Sequence, residues 1–179
     1  PVMTLPAEPA AARRPIGTPV LSVIVPCFNE RPNVVPMIAK LDAALDGIAW
    51  EVIYVDDNSP DGTAQEVRRI ARQDSRVRCI RRIGRRGLAS AVIEGALSSS
   101  ADYVAVIDGD LQHDERVLPQ MLAKLKQEKL DIVVGSRHIG GGGMGEFSKA
   151  RVLLSNAGKA LSRSICRTPV SDPMSGFFL

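Results

Sequence analysis

The acidic segment DGDLQH at 108–113 holds the side chains whose types and spacing best fit metal chemistry. In an extended chain, residues two apart share a side, so Asp108, Asp110 and Gln112 would present three oxygen groups to one point. Mg²⁺ or Mn²⁺ typically takes one or two carboxylates and completes its shell with water and substrate phosphate oxygens. Gly109 leaves room for close approach. The alternative is a plain acidic turn before a helix, since Asp-x-Asp is a common sequence.

Acidic side chains also follow two earlier apolar runs. Asn29 and Glu30 follow the first run, and taken alone they are typical of the cap of a helix. Asp56 and Asp57 follow the second run, and two adjacent carboxylates are hard to bury without a partner. A ribose hydroxyl or a base edge would be such a partner.

Basic side chains stand in the last part of the chain. Arg137 follows a fifth apolar run, where it would hold phosphate through two parallel hydrogen bonds, although a surface arginine is the alternative. Arg151 begins a predicted helix, where the helix dipole disfavours positive charge unless an anion binds there.

The elements that must position these residues follow the pattern of βαβ units with a parallel sheet, because short Val- and Ile-rich runs alternate with longer amphipathic stretches. We predict strands at 21–25, 52–55, 77–80, 103–107 and 132–134. We predict helices at 34–45, 63–73, 88–97, 117–127 and 151–162. Ser59 followed by Pro60 is a helix-start signal before the second helix. Ligands of such sheets bind beyond the carboxyl ends of the strands, where the residues above lie.

Length and composition agree with one globular domain, since the chain has 179 residues, 45% of them hydrophobic and 24% charged. Prolines and alanines without apolar periodicity predict a disordered tail at 1–19, which leaves 20–179 as the domain. No run approaches the roughly 18 apolar residues that cross a bilayer. The three cysteines are far apart, which argues against a disulfide framework or a zinc site and favours a reducing, cytosolic setting. The dinucleotide fingerprint, the P-loop and the nucleophile elbow are all missing from the sequence.

Taken together, these segments resemble glycosyltransferase family 2, and within it the dolichyl-phosphate (polyprenyl-phosphate) mannose synthases. The matching stretches are SVIVPCFNE (22–30), VDDNSPDGT (55–63), RRGLASAVIEG (85–95), IDGDLQH (107–113), DIVVGSR (131–137) and SDPMSGF (171–177). The resemblance implies an α/β fold of the GT-A (Rossmann-like) type, which binds a nucleotide sugar on a mostly parallel central sheet flanked by helices. It also implies Mg²⁺ or Mn²⁺ and inverting transfer of a sugar to the phosphate of a membrane polyprenol.

The resemblance further implies roles for single residues. The nucleotide sugar would be bound by Pro26, Phe28, Glu30, Val55, Asp57, Asp108, Gly109, Asp110 and Arg137. The metal ligands would be Asp108, Asp110 and Gln112, and the acceptor phosphate would meet Arg151 and Ser155. Asp110 and Arg137 would be catalytic, because metal and arginine charge stabilise the leaving diphosphate. The attacking lipid phosphate is largely ionised at neutral pH and needs no general base.

The sequence departs from the family pattern in ways that keep alternatives open. Phe28 stands where the family usually has tyrosine, which removes one hydroxyl from the nucleotide pocket. The chain stops at Leu179, where relatives continue, so we expect the domain to be truncated at its C-terminus. GDP-mannose is the favoured donor, while UDP-glucose or another nucleotide sugar stays open because pocket shape decides the sugar. A catalytically silent nucleotide-binding or scaffold domain is the alternative from another class.

Nine arginines lie within residues 68–86, and Asp74 is the only acidic residue in that stretch of the sequence. They are Arg68, Arg69, Arg72, Arg76, Arg78, Arg81, Arg82, Arg85 and Arg86. No aromatic residue interleaves with this arginine cluster, so nucleic acid is not predicted as a partner. A solvated helix and strand edge is one interpretation, and peripheral contact with an anionic membrane is the other. With a lipid acceptor, we predict a cytoplasmic protein at the cytosolic face of a membrane.

Overall fold

The protein is described here by a computed structural model, which covers residues 18–135 and 176–179. Four strands form one parallel sheet in the order β3-β2-β1-β4: β1 (Leu21–Cys27), β2 (Trp50–Asp56), β3 (Val77–Arg81) and β4 (Tyr103–Val106). The helices are α1 (Arg31–Ala44), α2 (Thr63–Ala71), α3 (Leu88–Leu97) and α4 (Leu118–Glu128), with a 3₁₀ turn at Glu115–Val117. Most of the predicted tail and the predicted helix at 151–162 lie outside the described residues.

Helices cover both faces of the sheet, which explains why its two central strands are continuous apolar runs. All residues of β1 and β2 are buried. Successive side chains point to opposite faces, so Val23 and Val25 join the core with α1, α2 and α4. Ile24 and Val55 join a smaller core under α3. The predicted mostly parallel α/β architecture is confirmed.

The prediction of a fifth strand at 132–134 is wrong, because these residues do not form a regular strand. Val134 forms only an isolated antiparallel bridge to Phe178, and Phe178 forms another to Val106 of β4. The 177–179 segment therefore lies between β4 and residues 133–135, antiparallel to both. The physical reason is burial, because Phe177 and Leu179 pack into the main core while the backbone between them satisfies its hydrogen bonds on both sides.

Helix α3 approaches the sheet closely at Gly95. A Cβ atom at this position would lie 2.5 Å from Ile24 Cγ2 and 3.0 Å from Val55 Cγ2. Both neighbours are fully buried strand residues and cannot move into solvent. Glycine therefore sets the distance between α3 and the sheet.

Gly95→Ala is expected to lower the free energy of unfolding by about 1–3 kcal/mol, because the added methyl group overpacks this contact. Alanine favours helix over glycine by about 1 kcal/mol, which reduces but does not cancel the loss. Urea unfolding measures the change, with Leu97→Ala as the control, since Leu97 is 83% exposed on the same helix. A Gly95→Ala protein as stable as the wild type would contradict the close packing.

Candidate functional site

The strand order reverses between β1 and β4, because β2 and β3 lie on one side of β1 and β4 on the other. Such a reversal opens a crevice at the carboxyl ends of the strands, where ligands of open α/β sheets bind. Here the segment after β1 meets the segment after β4. A Cβ atom at Gly109 would lie 3.3 Å from Glu30 Cγ, so Glu30 borders the acidic segment 108–113.

The loops after β1 and β2 are joined by side-chain hydrogen bonds. Three consecutive backbone N–H groups donate across: Asn29 to Ser59 Oγ (2.9 Å), Glu30 to Thr63 Oγ1 (3.0 Å) and Arg31 to Asp61 Oδ2 (3.0 Å). These bonds explain why polar residues recur at every second position of 59–63. They hold the first turn of α1 against the start of α2 and give the crevice one fixed wall.

The predicted start of the second helix at residue 63 is confirmed, but the interpretation of Ser59 and Pro60 as its start signal is wrong. Helix α2 begins at Thr63, whose backbone N–H and hydroxyl both donate to Asp61 Oδ1. Ser59 has another function, because its backbone N–H donates to Asp56 Oδ2 at 3.1 Å and its hydroxyl bonds the other oxygen of that carboxylate. Asp56 is fully buried and is thus a structural residue with an internal partner.

Cys27 ends β1 next to this buried carboxylate. Its Sγ lies 3.7 Å from the Val55 carbonyl oxygen and 4.0 Å from Asp56 Oδ1. Burial raises the pKa of the Cys27 thiol far above its ordinary value, and the negative charge of Asp56 raises it further.

We expect Cys27 to resist alkylation by iodoacetamide in the folded protein at mildly alkaline pH, because the thiolate is the reactive form. After unfolding in urea it should react at the rate of an ordinary cysteine. Peptide mapping by mass spectrometry follows each thiol separately, and Cys79, which is only half-buried, serves as the internal comparison. Equal labelling of Cys27 before and after unfolding would contradict its placement.

Asp57 has its partner within the protein. The Arg82 Nε group donates to Asp57 Oδ1 at 2.6 Å, and the Gly87 backbone N–H donates to Asp57 Oδ2 at 2.9 Å. Neither Asp56 nor Asp57 therefore needs a ligand for its burial, which corrects the sequence argument. Sequence reasoning did not identify Arg82 as this partner. Two signals pointed to its region: Asp57 needs a partner, and β3 ends next to it, where Arg81 pairs in register with Asp56.

Much of the arginine cluster is neutralised by acids from other elements. Arg82 is buried, not part of a solvated edge. Ion pairs join Arg69 to Glu66, Arg76 to Asp42 and Asp74, Arg78 to Glu51 and Arg85 to Glu94. The cluster is dense along the chain, but folding brings carboxylates to it from α1, β2 and α3.

The acidic segment after β4 is a turn and not an extended chain. Residues 109–110 are in the turn, and Leu111 has φ +62°. The Gln112 backbone N–H donates to Asp110 Oδ1 at 3.1 Å, a local bond that favours a turn over extended structure. The argument that Asp108, Asp110 and Gln112 share one side of an extended chain is therefore wrong.

The carboxylates of Asp108 and Asp110 remain available for a divalent cation. Asp108 is half-buried and Asp110 and Gln112 are exposed, while His113 Nε2 lies 3.4 Å from Asp108 Oδ2. Among the described residues, no group of three or more His, Cys, Asp or Glu side chains could hold a metal by itself. One or two carboxylates with open positions fit Mg²⁺ or Mn²⁺ shared with substrate phosphates, and do not fit a closed protein cage.

Gly176 is a site residue that sequence reasoning did not single out. A Cβ atom at this position would overlap the Asp108 carboxylate, so the 176–179 segment packs directly against the first acid of the DGD sequence. The signal was present in SDPMSGF, whose glycine precedes the buried Phe177. The segment thereby limits where the Asp108 side chain can lie.

The residues predicted to bind the nucleotide differ in their exposure and in their contacts. Pro26 and Val55 are buried within strands, and the Val55 side chain packs under α3. Phe28 is 41% exposed, with the Arg86 guanidinium 4.4 Å above its ring. Glu30 accepts a 2.6 Å hydrogen bond from Asn33 Nδ2. Arg137, Arg151 and Ser155 lie outside the described residues.

Two relatives are similar to most of this chain. The dolichol-phosphate mannosyltransferase of Pyrococcus furiosus is 37% identical over 160 residues, which are 88% of this chain and 45% of that protein. The dolichol-phosphate mannosyltransferase of Saccharomyces cerevisiae is 36% identical over 161 residues, again 88% of this chain and 59% of that protein. The chain thus spans about half the length of these relatives.

Solved structures support the same fold. A mannosyltransferase from Pyrobaculum calidifontis, in complex with GDP-Man and Mn²⁺, has a TM-score of 0.57 and 27% identity over 72% of this chain and 39% of that one. Glucosyl-3-phosphoglycerate synthase from Mycobacterium tuberculosis has a TM-score of 0.66 and 22% identity over 89% of this chain and 55% of that one. The fold is of the GT-A type.

The family model described as glycosyl transferase family 2 matches residues 22–179. This match runs from β1 to the end of the chain and includes every strand end that borders the crevice. The acids and the switch in strand order are therefore features of one family domain, and the chain belongs to glycosyl transferase family 2.

Proposed function

We propose that the protein is a metal-dependent inverting glycosyltransferase that transfers mannose from GDP-mannose to a polyprenyl phosphate. The observation that carries the proposal is the placement of Gly109, which joins Asp108 to Asp110, against Glu30 at the point where the strand order reverses. The names of the relatives in Pyrococcus and Saccharomyces support the sugar and the acceptor. The mannosyltransferase solved with GDP-Man and Mn²⁺ supports the donor and the metal.

Asp108 and Asp110 would hold Mg²⁺ or Mn²⁺, with the Gln112 amide as a further oxygen ligand. When bound, the cation supplies positive charge to the departing diphosphate. The Gly109 backbone joins the two acids and packs against Glu30, Val25 and Cys27, and the donor diphosphate would bind beside the carboxylates on either side of it. Phe28 and Asp57 would bind the nucleoside, since they directly follow the carboxyl ends of the neighbouring strands β1 and β2.

The acceptor is proposed to bind through basic residues in the last part of the chain. Arg151 and Ser155 would meet the acceptor phosphate, and Arg137 would bind a donor phosphate, as the family positions imply. An ionised lipid phosphate is itself a nucleophile, so these residues need only orient it and offset its repulsion from the diphosphate. No residue of the chain has to remove a proton.

Calorimetric titration tests the donor and the metal without the lipid. GDP-mannose is expected to bind in the presence of Mn²⁺ and to lose binding in EDTA, while UDP-glucose should not bind. Binding of UDP-glucose alone would overturn the choice of donor and keep the reaction class. Failure of both donors to bind a folded sample would overturn the proposal for this chain, and transfer of labelled mannose to polyprenyl phosphate tests the acceptor.

We also propose peripheral contact with the cytosolic face of an anionic membrane. The exposed members of the arginine cluster support it, together with Ile83, which is 72% exposed beside Arg85 and Arg86. In the described part of the chain, no helix has the length and apolar character to cross a membrane.

Sedimentation with liposomes tests this contact. We expect the protein to bind vesicles that contain anionic lipid and to lose binding as salt rises, because screening weakens surface charge. Arg85→Gln with Arg86→Gln should reduce binding, whereas Arg116→Gln, an exposed arginine next to α4, should not. Equal binding to neutral vesicles would show that charge is not the cause.

A further inference from the structure

We propose that Arg82 is a positioning residue for the nucleotide, acting through Asp57 and the amino end of α3. The inference rests on the proposed function, because it takes Asp57 as a ligand of the nucleoside. Arg82 itself is 1% exposed and cannot touch a ligand in the crevice. Its effect on binding must therefore pass through the groups that it holds.

Each of the three nitrogens of the Arg82 guanidinium donates a hydrogen bond. Nε donates to Asp57 Oδ1 at 2.6 Å, Nη1 to Ser90 Oγ at 2.7 Å and Nη2 to the Gly87 carbonyl oxygen at 2.9 Å. The three acceptors belong to the end of β2, the turn before α3 and the first turn of α3. A planar fork with fixed donor directions specifies the relative placement of all three.

Gly87 is held from both sides of its peptide backbone. Its N–H donates to Asp57 Oδ2 and its carbonyl oxygen accepts from Arg82. Its φ of +132° lies in a region that favours glycine, so this turn has one defined course. Arg86 directly precedes it and lies over the Phe28 ring.

The arrangement leaves part of the Asp57 carboxylate able to accept a hydrogen bond from a ligand. The Asp57 side chain is 13% exposed, and a carboxylate has about four acceptor positions, of which its bonds to Arg82 and Gly87 use only part. Arg82 thus fixes where the remaining acceptor edge points. Through Gly87 it also holds the backbone next to Arg86, whose guanidinium lies over the Phe28 ring.

The test measures GDP-mannose affinity with Mn²⁺ for Arg82→Met and Arg82→Lys. Arg82→Met is expected to raise the Kd at least about tenfold, because a small misplacement of a positioning group is costly. Arg82→Lys keeps the charge and one hydrogen bond, so it should lie between Arg82→Met and the wild type. Arg76→Met is the matched control, since Arg76 is also ion-paired and packs on Trp50 at the opposite end of the sheet. It should leave the Kd unchanged.

A second pair of measurements separates positioning from general loss of stability. In an Asp57→Asn background, Arg82→Met should add little to the Kd, because the effect passes through Asp57. Amide hydrogen exchange without nucleotide should rise at Gly87 and its neighbours in Arg82→Met, while the amides of β1 stay protected.

The results for Arg82→Met separate this inference from the proposed function. If the wild type binds GDP-mannose and Arg82→Met binds it with the same Kd, the inference is overturned and the proposed function stands. Additive effects of Arg82→Met and Asp57→Asn would overturn the route through Asp57. If the wild type binds no donor, the proposed function fails. Unchanged amide hydrogen exchange at Gly87 in Arg82→Met would then also show that Arg82 does not position this turn.

Discussion

Asp110→Asn is expected to lower sugar transfer by about three orders of magnitude, because loss of a metal ligand removes several kcal/mol of charge stabilisation from the transition state. Asparagine has nearly the same shape, and its side-chain oxygen can still accept the hydrogen bond that Gln112 N–H now donates to Asp110. The turn after β4 should therefore keep its course. What changes is the charge of a single exposed side chain.

Transfer of labelled mannose, measured across a range of Mn²⁺ concentrations, checks this expectation. Asp114→Asn is the matched control, since Asp114 is an exposed acid four residues away that pairs with Arg116. It should keep its activity and its dependence on metal. Wild-type activity in folded Asp110→Asn protein would exclude Asp110 as a metal ligand, and urea unfolding verifies that both variants are folded.

The parts of the fold that follow from local sequence were predicted well. The predicted helix at 88–97 coincides with α3, and each of the four regular strands contains or nearly matches its apolar run. Strands β1 and β2 extend past those runs to Cys27 and Asp56, because backbone pairing between them continues beyond the apolar side chains. Periodicity identifies buried side chains, but hydrogen bonding decides where a strand ends.

The parts that depend on contacts between distant segments were not predictable in this way. The basic character of Arg82 is visible in the sequence, but its burial depends on Asp57 and Ser90, which come from other elements. The turn after β4 depends on a left-handed Leu111, a conformation that few non-glycine residues adopt. The position of Gly176 against Asp108 joins residues far apart in the chain. The acids could be located at the crevice from sequence, but their geometry could not.

Separating Asp57 from Arg82 is expected to cause a large loss of stability, and the loss should depend on which partner is removed. Asp57→Ala leaves a fully buried guanidinium without its carboxylate and should lower the free energy of unfolding by about 3–5 kcal/mol. Glu94 compensates only in part, because its nearest oxygen is 4.0 Å from Arg82 Nη1 and its other oxygen pairs with Arg85 at 3.0 Å.

The reverse change should cost less. Arg82→Met leaves Asp57, whose side chain is 13% exposed, so water can reach the carboxylate and reduce the cost of its lost partner. The double variant should lose less than the sum of the two single changes, since neither charge is then left alone. Urea unfolding of the four proteins measures this cycle. Additive losses would mean that the two side chains stabilise the fold independently, which the 2.6 Å bond between Arg82 Nε and Asp57 Oδ1 argues against.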